Sequence, residues 1–125
     1  MHRSLNVLGQ PLQPCSQDPK TGWFRDGCCN TDDKDRGSHT VCARVTQEFL
    51  LFLREQGNDL ITPVPQVGFP GLKPGDQWCV VARSWLQAWQ ADKACPVVLE
   101  STHQAALTVV PLEALLQHAL VAAEA

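Results

Sequence analysis

A chain of 125 residues that is 44% hydrophobic and 18% charged falls in the size range of one domain and outside the composition of a disordered chain. Its formal net charge is −3 and its ten lysines and arginines are thinly spread, which speaks against nucleic acid or an anionic membrane surface as partner. There is no run of eighteen apolar residues and no apolar core between Met1 and Pro11, so the expectation is a single cytoplasmic domain over residues 1–125.

The stretch from Leu5 to Asp35 is dense in Pro, Gly, Asp, Asn and Ser and lacks both helical and strand periodicity. It predicts a long irregular segment, residues 1–38, packed on the core through Leu5, Val7, Leu8, Leu12, Trp23 and Phe24. A short strand is expected within His39–Val45, followed by a helix over Thr46–Gln56 that Gly57-Asn58 stops. Prolines and glycines between Leu60 and Asp76 exclude regular structure there. Lys73-Pro74-Gly75-Asp76 carries the two central residues of a type II turn and feeds a strand at Gln77–Ala82. The glycines of this region suggest a phosphate loop, but the prolines remove donors and no Gly-Lys-Ser or Gly-Lys-Thr ending follows.

Ser84 with Gln87, and Ser101 with Gln104, match helix caps with a reciprocal side chain three residues on. The first such helix would carry Trp85 and Trp89 on one face, and the second would follow a strand at Val97–Leu99. Behind Pro111, expected in a first turn, Leu112, Leu115, Leu116, Ala119, Leu120 and Ala123 recur at helical spacing and predict a leucine stripe on the core. These elements add up to an α+β fold: a small sheet covered on one face by helices, a two-layer sandwich.

The chemistry centres on cysteine and histidine. In a cytoplasmic chain six cysteines point to reduced thiols, metal ligands or redox groups rather than a disulfide framework. Cys28, Cys29, His39 and Cys42 have the composition of a zinc shell, although adjacent cysteines diverge and an extended 39–42 segment sends His39 and Cys42 to opposite faces. Alternatively Cys28, Cys29 or Cys42 is a nucleophile activated by His39 or His103 and oriented by Asp26, or Cys28 and Cys29 form a redox-sensitive pair. The plainest reading treats these thiols as small buried apolar groups. Glu100 and His103 stand three apart but fall on different predicted elements, and His118 sits near a helix end.

Asn6-Val7-Leu8-Gly9, Arg25-Asp26-Gly27-Cys28-Cys29, Gly37 to Ala43, Gly57-Asn58-Asp59-Leu60, Gly68 to Asp76 with Trp78-Cys79, and Thr102-His103 recur together in one family. Over Leu5 to Ala119 the chain closely resembles this group of short, mainly bacterial proteins classed as a domain of unknown function. The resemblance implies a stand-alone α+β domain and transfers no activity or cofactor. Its motifs place Asp26, Cys28, Cys29, His39, Cys42 and His103 as a candidate site built by the N-terminal loop over the sheet edge. Three functions follow: a small-ligand or interaction domain, a zinc protein, or a thiol-dependent enzyme or redox switch.

Overall fold

The computed structural model describes residues 4–120. Two strands, β1 (Val41–Arg44) and β2 (Gln77–Val80), form an antiparallel sheet in which Val41 pairs with Val80 and Arg44 with Gln77. Three α-helices accompany it among the described residues: α1 (Gln47–Glu55), α2 (Ala82–Gln90) and α3 (Leu112–Gln117). The fold is α+β, as the order of patterns predicts.

Helix α1 forms where expected because the Thr46 hydroxyl accepts the Phe49 N–H at 3.2 Å and so satisfies one of the unpaired first-turn donors. Phe49, Leu50 and Leu53 face inward from it. The turn before β2 also matches its sequence: the Asp76 N–H reaches the Lys73 carbonyl at 3.0 Å and Gly75 takes φ 98°, the left-handed position that a type II turn reserves for glycine.

Side chains alternate across the sheet. Val41, Ala43, Trp78 and Val80 join Phe49, Leu50, Leu53, Ala82, Trp85 and Ala88 in the main core, so α1 and α2 cover that face. Trp85 is completely enclosed and its indole N–H donates to the Cys95 carbonyl at 3.1 Å, so truncating it to alanine should cost about 3–5 kcal/mol. Cys42 and Cys79 point the other way, into a separate buried cluster with Cys15 and Cys29 from the N-terminal segment. Between Leu5 and Thr40 there is no helix or ladder strand, only isolated bridges and turns.

Five expectations need correction. Helix α2 starts at Ala82, with Val81 as its cap and no role for the Ser84 hydroxyl, because β2 runs directly into the helix and the Ser38 carbonyl accepts the free Ala82 N–H at 2.9 Å. Ser101 does not cap a helix either: its hydroxyl donates to the Pro14 carbonyl at 2.8 Å, and His103 caps the 3₁₀ turn Gln104–Thr108 instead. Val97–Leu99 is not a strand, since only Val97 bridges, to Ala43 on one side and Ala119 on the other, before the chain turns at Leu99–Ser101. That clamp on Ala119 ends α3 after six residues, with Pro111 as its cap rather than its first-turn proline. Leu115 is buried in the core and Ala119 packs against it, while Leu112 and Leu116 stay 39% and 50% exposed, so only part of the predicted stripe meets the core. Ala123, its last member, lies outside the described residues.

No helix is long and apolar enough to cross a membrane among the described residues.

Candidate functional site

The site begins with the register Cys42↔Cys79. The Cys42 N–H leaves the ladder for the Thr102 hydroxyl at 3.1 Å, and the Cys79 N–H leaves on the opposite edge for the Thr21 hydroxyl at 2.9 Å. The two cysteines are therefore a non-hydrogen-bonded pair, the kind in which facing side chains come closest. Thr21 and Thr102 also close both edges of a sheet that would otherwise present unpaired donors.

Each sheet cysteine is bonded to a loop cysteine. Cys15 joins Cys42 and Cys29 joins Cys79, with sequence separations of 27 and 50. The sulfurs of Cys15, Cys29 and Cys79 all lie within 4.8 Å of one another. The Gln77 side-chain amide donates to the Cys15 carbonyl at 2.6 Å and lies 3.9 Å from the Cys42 sulfur. The expectation of reduced thiols, metal ligands or redox groups rather than a disulfide framework is thus overturned for these four cysteines, which pair in two disulfides. The zinc set Cys28, Cys29, His39 and Cys42 is not assembled either, because Cys29 and Cys42 are consumed in different disulfides.

Cys28 and Cys95 are the free thiols. Burial, and then the negative charge of Asp26, push the Cys28 thiol above its ordinary value, opposite to what a thiolate nucleophile needs. Asp26 instead closes a local turn, its Oδ1 accepting the Cys28 N–H at 3.0 Å. Cys95 is buried, which drives its thiol strongly upward. Neither thiol is activated.

His39 is held from below. Asp35, whose side chain is fully enclosed, accepts from His39 Nδ1 at 2.6 Å, from the His39 backbone N–H at 2.8 Å and from the Thr31 hydroxyl at 2.9 Å. Burial alone would raise the Asp35 carboxyl, but these hydrogen bonds and the nearby imidazole outweigh it and leave the group below its ordinary value. Trp23 stacks on the His39 ring at 5.7 Å between centroids, and its indole N–H reaches Asp32 at 3.1 Å.

His103 arrives on the neighbouring segment, its N–H bonded to the Thr40 carbonyl at 2.8 Å, which sets its backbone beside that of the residue following His39. Its Nδ1 accepts the Ala105 N–H at 2.9 Å, which assigns the ring proton to Nε2, and burial lowers its pKa, favouring the neutral ring. His103 lines an open cleft of about 590 Å³ together with Ser4, Phe24, Asn30, Thr31 and Asp32. Of the six expected site residues, only His103 lines it: His39 lies one link away through Trp23 and Asp32, Cys29 precedes the lining residue Asn30, and Asp26, Cys28 and Cys42 serve the loop's own structure.

The family model described as an uncharacterized protein conserved in bacteria (DUF2237) matches residues 5–119 of the 125-residue chain. The chain belongs to this family. Among curated proteins none matches it. In this DUF2237 member the matched span holds both disulfides, the Asp35–His39 pair and, but for Ser4, the whole lining of the cleft. Sequence reasoning missed Cys15, Cys79, Thr21, Thr102 and Asp35. Cys79 and Thr102 stand in motifs of the family resemblance without having been placed in the site, and Asp35 carried a local signal, four residues before His39 in a turn-rich stretch, where a carboxylate can reach back to both ring and backbone.

Proposed function

We propose that this domain binds a small polar molecule, in the cytoplasm, in the cleft between the N-terminal loop and the His103 turn, and that nucleic acid is not its partner. The observation that carries the reading is the His103 ring, neutral, with Nδ1 already occupied, so that Nε2–H is the donor left for an occupant. Around it the exposed Phe24 ring offers a flat apolar wall and Asn30 and Asp32 offer polar groups, the mixture by which pockets of a few hundred Å³ orient small ligands. The Asp32 carboxylate and the net charge of −3 favour a neutral or cationic occupant over a phosphate backbone.

The test is a titration of isotope-labelled protein with a panel of small amines, amides and aromatic amides, followed by backbone amide shifts. The expected result is a hit that moves Phe24, Asn30 to Asp32 and His103, that His103→Ala abolishes, and that Leu116→Ala, at an exposed position on α3 outside the lining of the cleft, leaves intact. A panel without hits in the cleft, or hits indifferent to His103→Ala, would sink the reading.

A further inference from the structure

We propose that Cys15, Cys29, Cys42 and Cys79 form a thiol–disulfide exchange centre in which Cys15 is the entry point and relays reduction to the enclosed Cys29–Cys79 bond. The proposal does not depend on what occupies the cleft. It rests on placement: four sulfurs from two loop positions and two facing strand positions share one cluster, and the Cys15 sulfur lies within 4.8 Å of both sulfurs of the other disulfide.

Access is graded. All four residues are buried, but Cys15 keeps the most surface, 5% against 1% for Cys79 and 0% for Cys29 and Cys42, and the relay takes it as the point where an external thiol enters. The reductant is a dithiol. Its first thiolate attacks the Cys15 sulfur, a mixed disulfide forms, the Cys15–Cys42 bond breaks, and the electron pair leaves on Cys42. The Gln77 amide, 3.9 Å from that sulfur, can donate to it as it becomes a thiolate. The second thiolate of the reductant then attacks its own partner sulfur, closing the reductant's disulfide and releasing Cys15 as a thiolate. Two electrons have passed from the dithiol to the protein, and Cys42 takes a proton from water.

The freed Cys15 thiolate has a second disulfide within reach. Attack on Cys29 or Cys79 forms Cys15–Cys29 or Cys15–Cys79, breaks Cys29–Cys79 and expels the other cysteine as a thiolate. This exchange consumes no electrons. It moves the remaining disulfide onto Cys15, where a second dithiol can repeat the first two steps. Cys28 is outside the group of mutually close sulfurs, and its thiol takes no part.

The experiment treats native protein with limiting dithiothreitol, quenches with an acidic alkylating step and maps linkages by mass spectrometry. The expected one-disulfide species include Cys15–Cys29 or Cys15–Cys79; finding only Cys15–Cys42 and Cys29–Cys79 overturns the relay. A kinetic arm compares Cys28→Ala protein with the same protein carrying Cys15→Ser and Cys42→Ser. Without its relay, Cys29–Cys79 should be reduced about tenfold or more slowly, as expected when direct access replaces exchange. Equal rates in a variant whose circular dichroism and amide spectrum match the parent would refute the proposal.

Discussion

Cys42 and Cys79 face each other in direct register across the sheet, yet neither is bonded to the other: each reaches instead to a cysteine of the N-terminal loop. A bond between them would tie two strands already joined by the ladder. Two bonds outward attach an irregular segment, which has no helix or ladder strand of its own, to the reverse face of the sheet.

Loss of either disulfide should therefore be costly. Chain-entropy arithmetic for separations of 27 and 50 residues gives about 3.5 and about 4 kcal/mol. Urea unfolding of Cys15→Ser/Cys42→Ser and Cys29→Ser/Cys79→Ser variants should show losses of that order, the second no smaller than the first. A midpoint unchanged in both would mean that the loop is held by its other contacts.

The threonine hydroxyls at the sheet edges make a second prediction. Thr102→Val and Thr21→Val keep the shape but leave the buried Cys42 or Cys79 N–H without an acceptor, at about 1–3 kcal/mol each. Thr102→Ser should retain most of the stability, because it keeps the oxygen. Chemical denaturation with amide shifts of residues 42 and 79 measures both.

Acid should destabilise the domain in two windows. His103 has a folded-state pKa below its ordinary value through burial, so the stability tied to its neutral form is complete above about 6.5 and declines as pH falls through the folded value. Asp35 is also lowered, so its contribution is complete above about 3.9 and is lost on further acidification. His103→Gln should flatten the upper window and Asp35→Asn the lower one, in melting temperatures recorded across pH. Protonating His103 also removes the acceptor for the Ala105 N–H, so the turn that holds the ring at the cleft should loosen in the same upper window.

Gly22 and Gly57 separate backbone strain from steric conflict. Both have positive φ, 105° and 92°, but an added methyl at Gly57 meets open space while one at Gly22 runs into the Cys28 carbonyl. Gly57→Ala should cost about 1–2 kcal/mol from conformation alone. Gly22→Ala should cost more and, by pushing on the turn before Cys29, broaden amide signals from Asp26 to Asp32. Equal losses in thermal melts would contradict this.

Cys28 should alkylate slowly near neutral pH, since burial and Asp26 both disfavour its thiolate. Asp26→Asn should speed labelling, and Cys95 should remain unlabelled until the chain unfolds. Iodoacetamide time courses with mass detection decide this, and a rapidly labelled Cys28 would restore the nucleophile reading.

Some of this was legible because it is local. Thr46 before an apolar run, Gly57-Asn58 after it, and Pro74-Gly75 before Trp78 act within a few residues of themselves, and the structure has α1, the turn and β2 at those places. The serines failed as caps for the opposite reason. A hydroxyl is satisfied by any acceptor in reach, and Ser101 found the distant Pro14 carbonyl. The leucine stripe of α3 held only in part, with Leu115 and Ala119 on the core and Leu112 and Leu116 exposed, because the helix ends after six residues and the chain at Ala119 bridges to Val97 instead of continuing the helical face.

The amino-acid sequence by itself determined the α+β class, helix α1 with its stop, the turn that feeds β2, and a supply of thiols and imidazoles around an irregular N-terminal segment. Which thiols meet was decided only in three dimensions. Six cysteines allow 15 complete pairings, and the choice made here depends on strand register, which places Cys42 opposite Cys79, and on the path of the loop beneath them. The cleft likewise joins Ser4, Phe24 and Asn30 to His103, residues brought together by the backbone bond between His103 and Thr40 and by the staple at Cys29. Contacts between residues far apart in the chain depend on the packing of everything between them, and no local preference encodes that.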